Sequence, residues 1–215
     1  MNKEYKYALF DWDGCIADTL SESNTICKLL AAKKGIKFSD DDFRAVVGNW
    51  NKLAQVIDYS DVQELKIVFA QITNERIAKV ALNPNAKETL QLLHQNNVAI
   101  GIVSSSSREI IIQQAKHNGV LGFISQIVGF EDVVKTKPDP EPVLKLLNLM
   151  AGNSENSLLI GDTANDIIAA GRAGVDSIWY APQFNREVYG ETIFDEYKPI
   201  AIIEDLFDFG RFFIN

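Results

Sequence analysis

The chain is poor in the residues that staple small secreted folds or bind soft metals. Its 215 residues include two cysteines, Cys15 and Cys27, and two histidines, His94 and His117. Two thiols make no disulfide framework. Neither histidine has a partner at metal-ligand spacing, so both are expected at the surface. None stands at a recognisable spacing to activate Cys15. Positive charge is scarce as well: 21 Lys and Arg face 29 Asp and Glu, a formal net charge of −8. With no dense Lys/Arg cluster, no nucleic-acid partner is expected. No apolar run reaches membrane length, and Asn2-Lys3-Glu4-Tyr5-Lys6 lacks a signal-peptide pattern. No membrane partner and a cytoplasmic, reducing environment are therefore expected. Internal repeats and low-complexity tracts are missing too. What remains is an ordinary globular composition, long enough to bury a good core in one large or two unequal domains.

Against that background, Asp11-Trp12-Asp13-Gly14 stands out, directly after the apolar run Tyr5–Phe10. Side chains i and i+2 of a strand share a face. Asp11 and Asp13 would therefore look into the same cleft, unless the turn at Gly14 rotates the second away, with Trp12 packing on the other side. Two like charges so close call for a cation or a shared proton. The alternative is a turn that uses Asp for local hydrogen bonds. Three further pieces follow in order. Val98–Val103 ends in Ser104-Ser105-Ser106-Ser107; Lys137 lies in Lys135-Thr136-Lys137-Pro138-Asp139-Pro140; Ser157–Gly161 leads into Asp162-Thr163-Ala164-Asn165-Asp166. Each has a plain reading of its own. The serines could cap a helix, a lysine before proline is commonly a solvated loop residue, and carboxylates suit a first helical turn.

From Pro84 onward, strand-like runs (Val98–Val103, Ile127–Gly129, Leu158–Ile160, Ser177–Tyr180, Ile200–Ile203) alternate with helical patterns. The helical patterns are Ala86–Gln95, Arg108–Asn118, Glu141–Met150 and Asp166–Ala173. Such alternation predicts βαβ units and a parallel sheet. Ligands of open α/β sheets bind at the carboxyl edge of the strands, where Asp11, Ser104 and Asp162 would converge. The stretch from Asp18 to Asn83 reads as all helix. Ser39-Asp40-Asp41-Asp42 marks one helix start, and Val62–Val80 carries an amphipathic pattern. Asp18 reads as a linker or cap residue. Gln183–Lys198 is polar and largely irregular, with room for a short helix. Asp205–Phe213 suggests a last helix packed on the core.

Taken together, the motifs at Asp11, Ser104, Lys137 and Asp162 resemble those of the haloacid dehalogenase-like superfamily, on its phosphatase side, from Tyr7 to about Val175. Within it the chain resembles the phosphoglycolate phosphatase and β-phosphoglucomutase branch. The resemblance implies a Rossmann-like parallel sheet core of residues 1–17 and 83–215, with an inserted all-helical cap at 18–82. It implies Mg²⁺-dependent hydrolysis of a small phosphorylated metabolite, a phosphomonoester, through an aspartyl-phosphate. Asp11 would be the nucleophile and Asp13 the acid/base. Ser104, with Ser105, would hold the phosphoryl group, helped by positive charge from Lys137 rather than Lys135. Asp11 and Asp162 would bind Mg²⁺ by side chain and Asp13 through its backbone carbonyl; Asp166 would be a ligand or would orient one. Gly48 resembles the specificity loop of the cap, which makes Arg44, Asn49 and Trp50 the cap side chains to watch. A mutase of the same superfamily carries a histidine where Ser23 stands, which weighs against that activity. A non-catalytic binding protein on the same fold is the other alternative. The substrate and the oligomeric state are left open.

Overall fold

In the computed structural model, which describes residues 3–189 and 196–214, the first apolar run forms β1 (Tyr7–Phe10). Four helices follow, α1 (Thr19–Lys33), α2 (Asp40–Val46), α3 (Trp50–Val56) and α4 (Val62–Arg76). The alternation expected from Pro84 then appears. It runs α5 (Ala86–Gln95), β2 (Ala99–Val103), α6 (Arg108–His117), β3 (Gln126–Val128), α7 (Glu141–Leu149) and β4 (Ser157–Gly161). It continues through α8 (Ala164–Arg172), β5 (Asp176–Tyr180), α9 (Gln183–Tyr189), β6 (Ala201–Ile203) and α10 (Leu206–Gly210). The short helix expected within Gln183–Lys198 is α9; residues 190–195 of that stretch, like Met1 and Asn2, lie outside the described residues.

The strands form one parallel six-stranded sheet in the order β3-β2-β1-β4-β5-β6. β1 is central: Phe10 is paired with Ile102 on one side and Ile160 on the other. The strand order reverses there, which opens a crevice at the carboxyl end of β1. Alternation along β1 divides the core. Ala8 and Phe10 pack with Leu90 and Leu93 of α5, Ile111 of α6 and Phe209 of α10. Leu9 turns the other way, toward Val143 and Leu146 of α7 and Ala169 and Ala170 of α8. Each large apolar side chain buried in this way contributes roughly 1.5–3 kcal/mol. Trp12 continues the first set, fully buried, and its Nε1 donates to Gln114 of α6.

Helices α1–α4 enclose a second core, with Leu30, Phe43, Leu53 and Leu65 at its centre. α2 begins at a capping box: the Asp42 amide donates to Ser39 Oγ at 3.2 Å, and the Ser39 amide donates to Asp42 Oδ2 at 2.7 Å. The pattern expected over Val62–Val80 changes geometry near its end, where a 3₁₀ turn (Ile77–Lys79) follows α4. The chain leaves and re-enters the sheet at adjacent points. Ala17 bridges Leu82, and the Asp18 amide donates to the Ala81 carbonyl at 2.8 Å. Asp18 also caps α1, accepting from the Ser21 amide at 3.1 Å. One packing relation departs from chain order. α9 follows β5, yet its Phe184 and Val188 pack on the second core, with Phe184 stacked on Phe43 at 6.3 Å.

Candidate active site

The crevice beyond β1 is built by short, fixed loops. The Asp11 amide donates to the Ile160 carbonyl at 2.9 Å, which holds Asp11 between its neighbouring strands. Gly14 then turns the chain at φ +76°, and a Cβ there would lie 2.2 Å from Asp162 Oδ2. Glycine is thus required both by the left-handed backbone and by the space. Asn83 holds this turn from outside, donating to the carbonyls of Gly14 and Cys15 at 3.0 and 2.8 Å.

At the centre lies the Lys137 ammonium, whose side chain is 5% exposed. It donates to Asp11 Oδ1 at 2.7 Å, to Asp166 Oδ1 at 2.5 Å and to the Val103 carbonyl at 3.0 Å. Its three protons are thereby used. Burial alone would lower its pKa, but the adjacent Asp11 and Asp166 carboxylates outweigh this and keep it charged. Lys135, by contrast, is exposed and faces Asp139 at 3.6 Å. Asp166, in the first turn of α8, also accepts from the Thr163 amide at 3.0 Å and closes the capping box of that helix. Cap and ion pair therefore coexist in one carboxylate.

Asp11, Asp162 and Asp166 are all buried, and each offers an oxygen within 4.8 Å of the others. Burial first, and then the neighbouring Asp166, push the Asp11 carboxyl up to about 7 against the opposing pull of Lys137. Burial and Asp11 push Asp162 up in the same way. Three carboxylates share one ammonium here, an imbalance that a further cation or a bound proton relieves. Asp162 Oδ1 is buried with no hydrogen-bond partner among the described residues. An unpaired carboxylate oxygen in an all-oxygen donor set fits a hard cation such as Mg²⁺.

Asp13 stands apart from this trio. The Gly14 turn carries it away, and its Oδ2 accepts from Ser104 Oγ at 2.9 Å. The Ser104 hydroxyl, expected to reach a phosphoryl oxygen, thus spends its proton on Asp13. Ser104 Oγ in turn accepts from the Ser106 amide at 3.0 Å. Ser107 caps α6, accepting from the Ile110 amide at 3.3 Å, while Ser105 is exposed. Within the serine run, the helix cap thus falls to Ser107.

The helical residues distribute unevenly. Gly48, at φ +74°, lines the cavity that Asp13 and Gly14 bound from the sheet side. Trp50 lies edge-on to Phe69 at 5.2 Å. Asn49 caps α3, accepting from the Lys52 amide at 3.0 Å. Arg44 is held between Asp41 at 2.7 Å and Glu187 of α9 at 3.0 Å. Ser23 donates to the Thr19 carbonyl at 2.8 Å. His94 and His117 are exposed, and burial pushes the Cys15 thiol up, away from reactivity. Two contributors went unread in the sequence. Asn185 of α9 is buried, with Nδ2 3.3 Å from the Gly14 carbonyl and 3.5 Å from Asp162 Oδ2. Trp179 of β5 donates to the Asp162 carbonyl at 2.9 Å. A buried Asn in a polar stretch, and a Trp in a strand, carry no one-dimensional signal of this kind.

Among known proteins, the model of the haloacid dehalogenase-like hydrolases matches residues 8–180. Pyrophosphatase PpaX of Oceanobacillus iheyensis is 27% identical over 206 residues, 93% of this chain and 92% of the relative. Phosphoglycolate phosphatase of Pseudomonas fluorescens is 24% identical over 217 residues, 94% of this chain and 77% of the relative. Among solved structures, a magnesium-bound form of the HAD-hydrolase YfnB from Bacillus subtilis shares the fold. It superposes with a TM-score of 0.79 at 19% identity, covering 99% of this chain and 100% of that one.

Proposed function

The chain belongs to the haloacid dehalogenase-like hydrolase family and is an enzyme on its phosphatase side; from that premise we propose that it hydrolyses a small phosphomonoester through a phosphorylated Asp11, with Mg²⁺ as cofactor. The observation that carries this reading is the buried group Asp11, Lys137, Asp166 and Asp162 beside the Asp13–Ser104 pair. The Asp11 carboxylate attacks phosphorus as the bond to the leaving oxygen breaks, and Asp13 gives that oxygen its proton. Water then attacks the phosphoryl group and yields a proton to Asp13; the bond to Asp11 breaks, and inorganic phosphate leaves. Lys137 keeps positive charge beside Asp11 throughout. Ser104 orients Asp13, and the turn from Ser104 to Ser106, including Ser105, supplies donors to the phosphoryl oxygens near the start of α6. Asp11 and Asp162 would hold Mg²⁺ by side chain and Asp13 by its carbonyl, with Asp166 fixing Lys137. Bound Mg²⁺ would neutralise charge on the carboxylates and the phosphoryl oxygens.

Residues 18–82 act in this reading as a cap over the crevice and exclude water from it. The adjacency of Ala17 and Leu82 supports a two-stranded link suited to such motion. The test is phosphate release from a panel of phosphomonoesters, with and without Mg²⁺, beside Asp11→Asn. Release is expected to need Mg²⁺ and to fall by about 10⁴-fold or more in the variant. Release that survives the loss of the Asp11 carboxylate overturns the mechanism.

A further inference from the structure

Beyond Asp13 lie two neighbouring compartments that share part of their walls. The first, about 490 Å³, is bounded by Asp13, Gly14, Thr19, Leu20 and Val188 together with Ser23, Val47 and Gly48. Those last three residues also line the second, about 180 Å³, whose remaining walls include Cys27, Phe43, Leu53, Trp50 and Phe69. The first compartment adjoins the group that would protonate the leaving oxygen, so the leaving group must occupy it. The second extends it into the helical core.

Among the described residues, no Lys, Arg or His stands in either lining. Several cations of the helical unit have partners outside these linings. Arg44 is held by Asp41 and Glu187, Arg76 by Glu22 and Lys28 by Asp40. Lys66 lies over the Trp50 ring, 5.8 Å from its centroid, outside the lining. Lys137 is committed to Asp11 and Asp166. An anionic leaving group here would lose hydration with no countercharge in the lining. A neutral, apolar body instead meets Phe43, Leu53 and Phe69. Ser23 Oγ already donates its proton to the Thr19 carbonyl at 2.8 Å, so toward a ligand it offers an acceptor. That suits a hydroxyl.

We infer that the substrate is the monophosphate ester of a neutral alcohol with an apolar body, and that the site rejects esters whose leaving group carries a carboxylate or a second phosphate. The inference rests on the phosphatase reading above. It separates this chain from the two relatives named, since pyrophosphate and phosphoglycolate both release an anion.

Three esters test it on the intact protein with Mg²⁺: benzyl phosphate and its 4-carboxamide and 4-carboxylate forms. Their alcohols are of similar basicity, and the last two are of similar size. Methyl phosphate, too short to reach the second compartment, serves as the control. kcat/KM for the amide is expected to exceed that for the carboxylate by about 100-fold. Val47→Arg, which adds a cation where the compartments meet, should shrink that ratio at least tenfold. A ratio of ten or more in the unaltered protein supports the inference, and a smaller one overturns it. Release from methyl phosphate without preference for the neutral ester leaves the phosphatase reading standing and removes the inference alone. No release from any of the four overturns that reading and the inference with it.

Discussion

Lys137 carries a charge balance that no neighbour can take over. Its ammonium touches two buried carboxylates and a main-chain carbonyl, and its side chain is nearly sealed from water. Lys137→Met would keep much of the volume and remove the charge, which leaves Asp11 and Asp166 facing one another. Breaking a buried pair in this way costs about 3–5 kcal/mol. The metal-free variant is expected to melt well below the parent, measured by calorimetry in EDTA. Phosphate release should fall by about 10²–10³-fold, since a charge aimed at the transferring group is lost as well. Melting that is unchanged would show that the ammonium does not offset the carboxylates as the geometry indicates.

At the scale of elements, α2 shows how local sequence and packing divide the work. Its seven residues are too few to be stable alone. The Ser39–Asp42 capping box fixes where it begins, and Phe43 and Val46 hold it to the helical core. Ser39→Ala removes one half of the box at an exposed site and is expected to cost about 1 kcal/mol. In a chain of this length that is a fall of about 2–4 °C in melting temperature. Phosphate release at 25 °C should change less than about threefold, because the sheet-edge residues are untouched. α9 is the complementary case. Phe184, Val188 and Glu187 join it to the helical unit, while Asn185 reaches the Gly14 turn and Asp162.

For the molecule as a whole, the acidic trio ties metal binding to stability. Three buried carboxylates around one ammonium lower the stability of the metal-free fold, and a cation that binds the folded chain raises it by mass action. At 100 times its dissociation constant, Mg²⁺ should add about 2.7 kcal/mol, or about 5–11 °C in melting temperature. Asp162→Asn keeps the shape and removes the charge that has an unpaired buried oxygen. The variant is expected to melt above the parent in EDTA and to show little or no Mg²⁺ shift. A full Mg²⁺ shift in the variant would place the cation elsewhere.

Much of this architecture is written in local sequence. Short apolar runs marked every strand from β2 to β6, and helical patterns marked the stretches between most of them, because burial and periodicity are properties of a few consecutive residues. Asp11, Lys137 and Asp162 were legible for a related reason: each follows a strand-like run or stands in a short motif, and parallel strands bring such ends to one edge. What the sequence could not decide was which polar atoms would meet across distant segments. The partnership of Ser104 with Asp13 and the approach of Asn185 to Asp162 depend on the strand order and on the turn at Gly14. So does the packing of α9 on helices more than a hundred residues earlier in the chain. A hydrogen bond is set by ångström distances, and those distances exist only once the sheet has brought its strand ends together around Lys137.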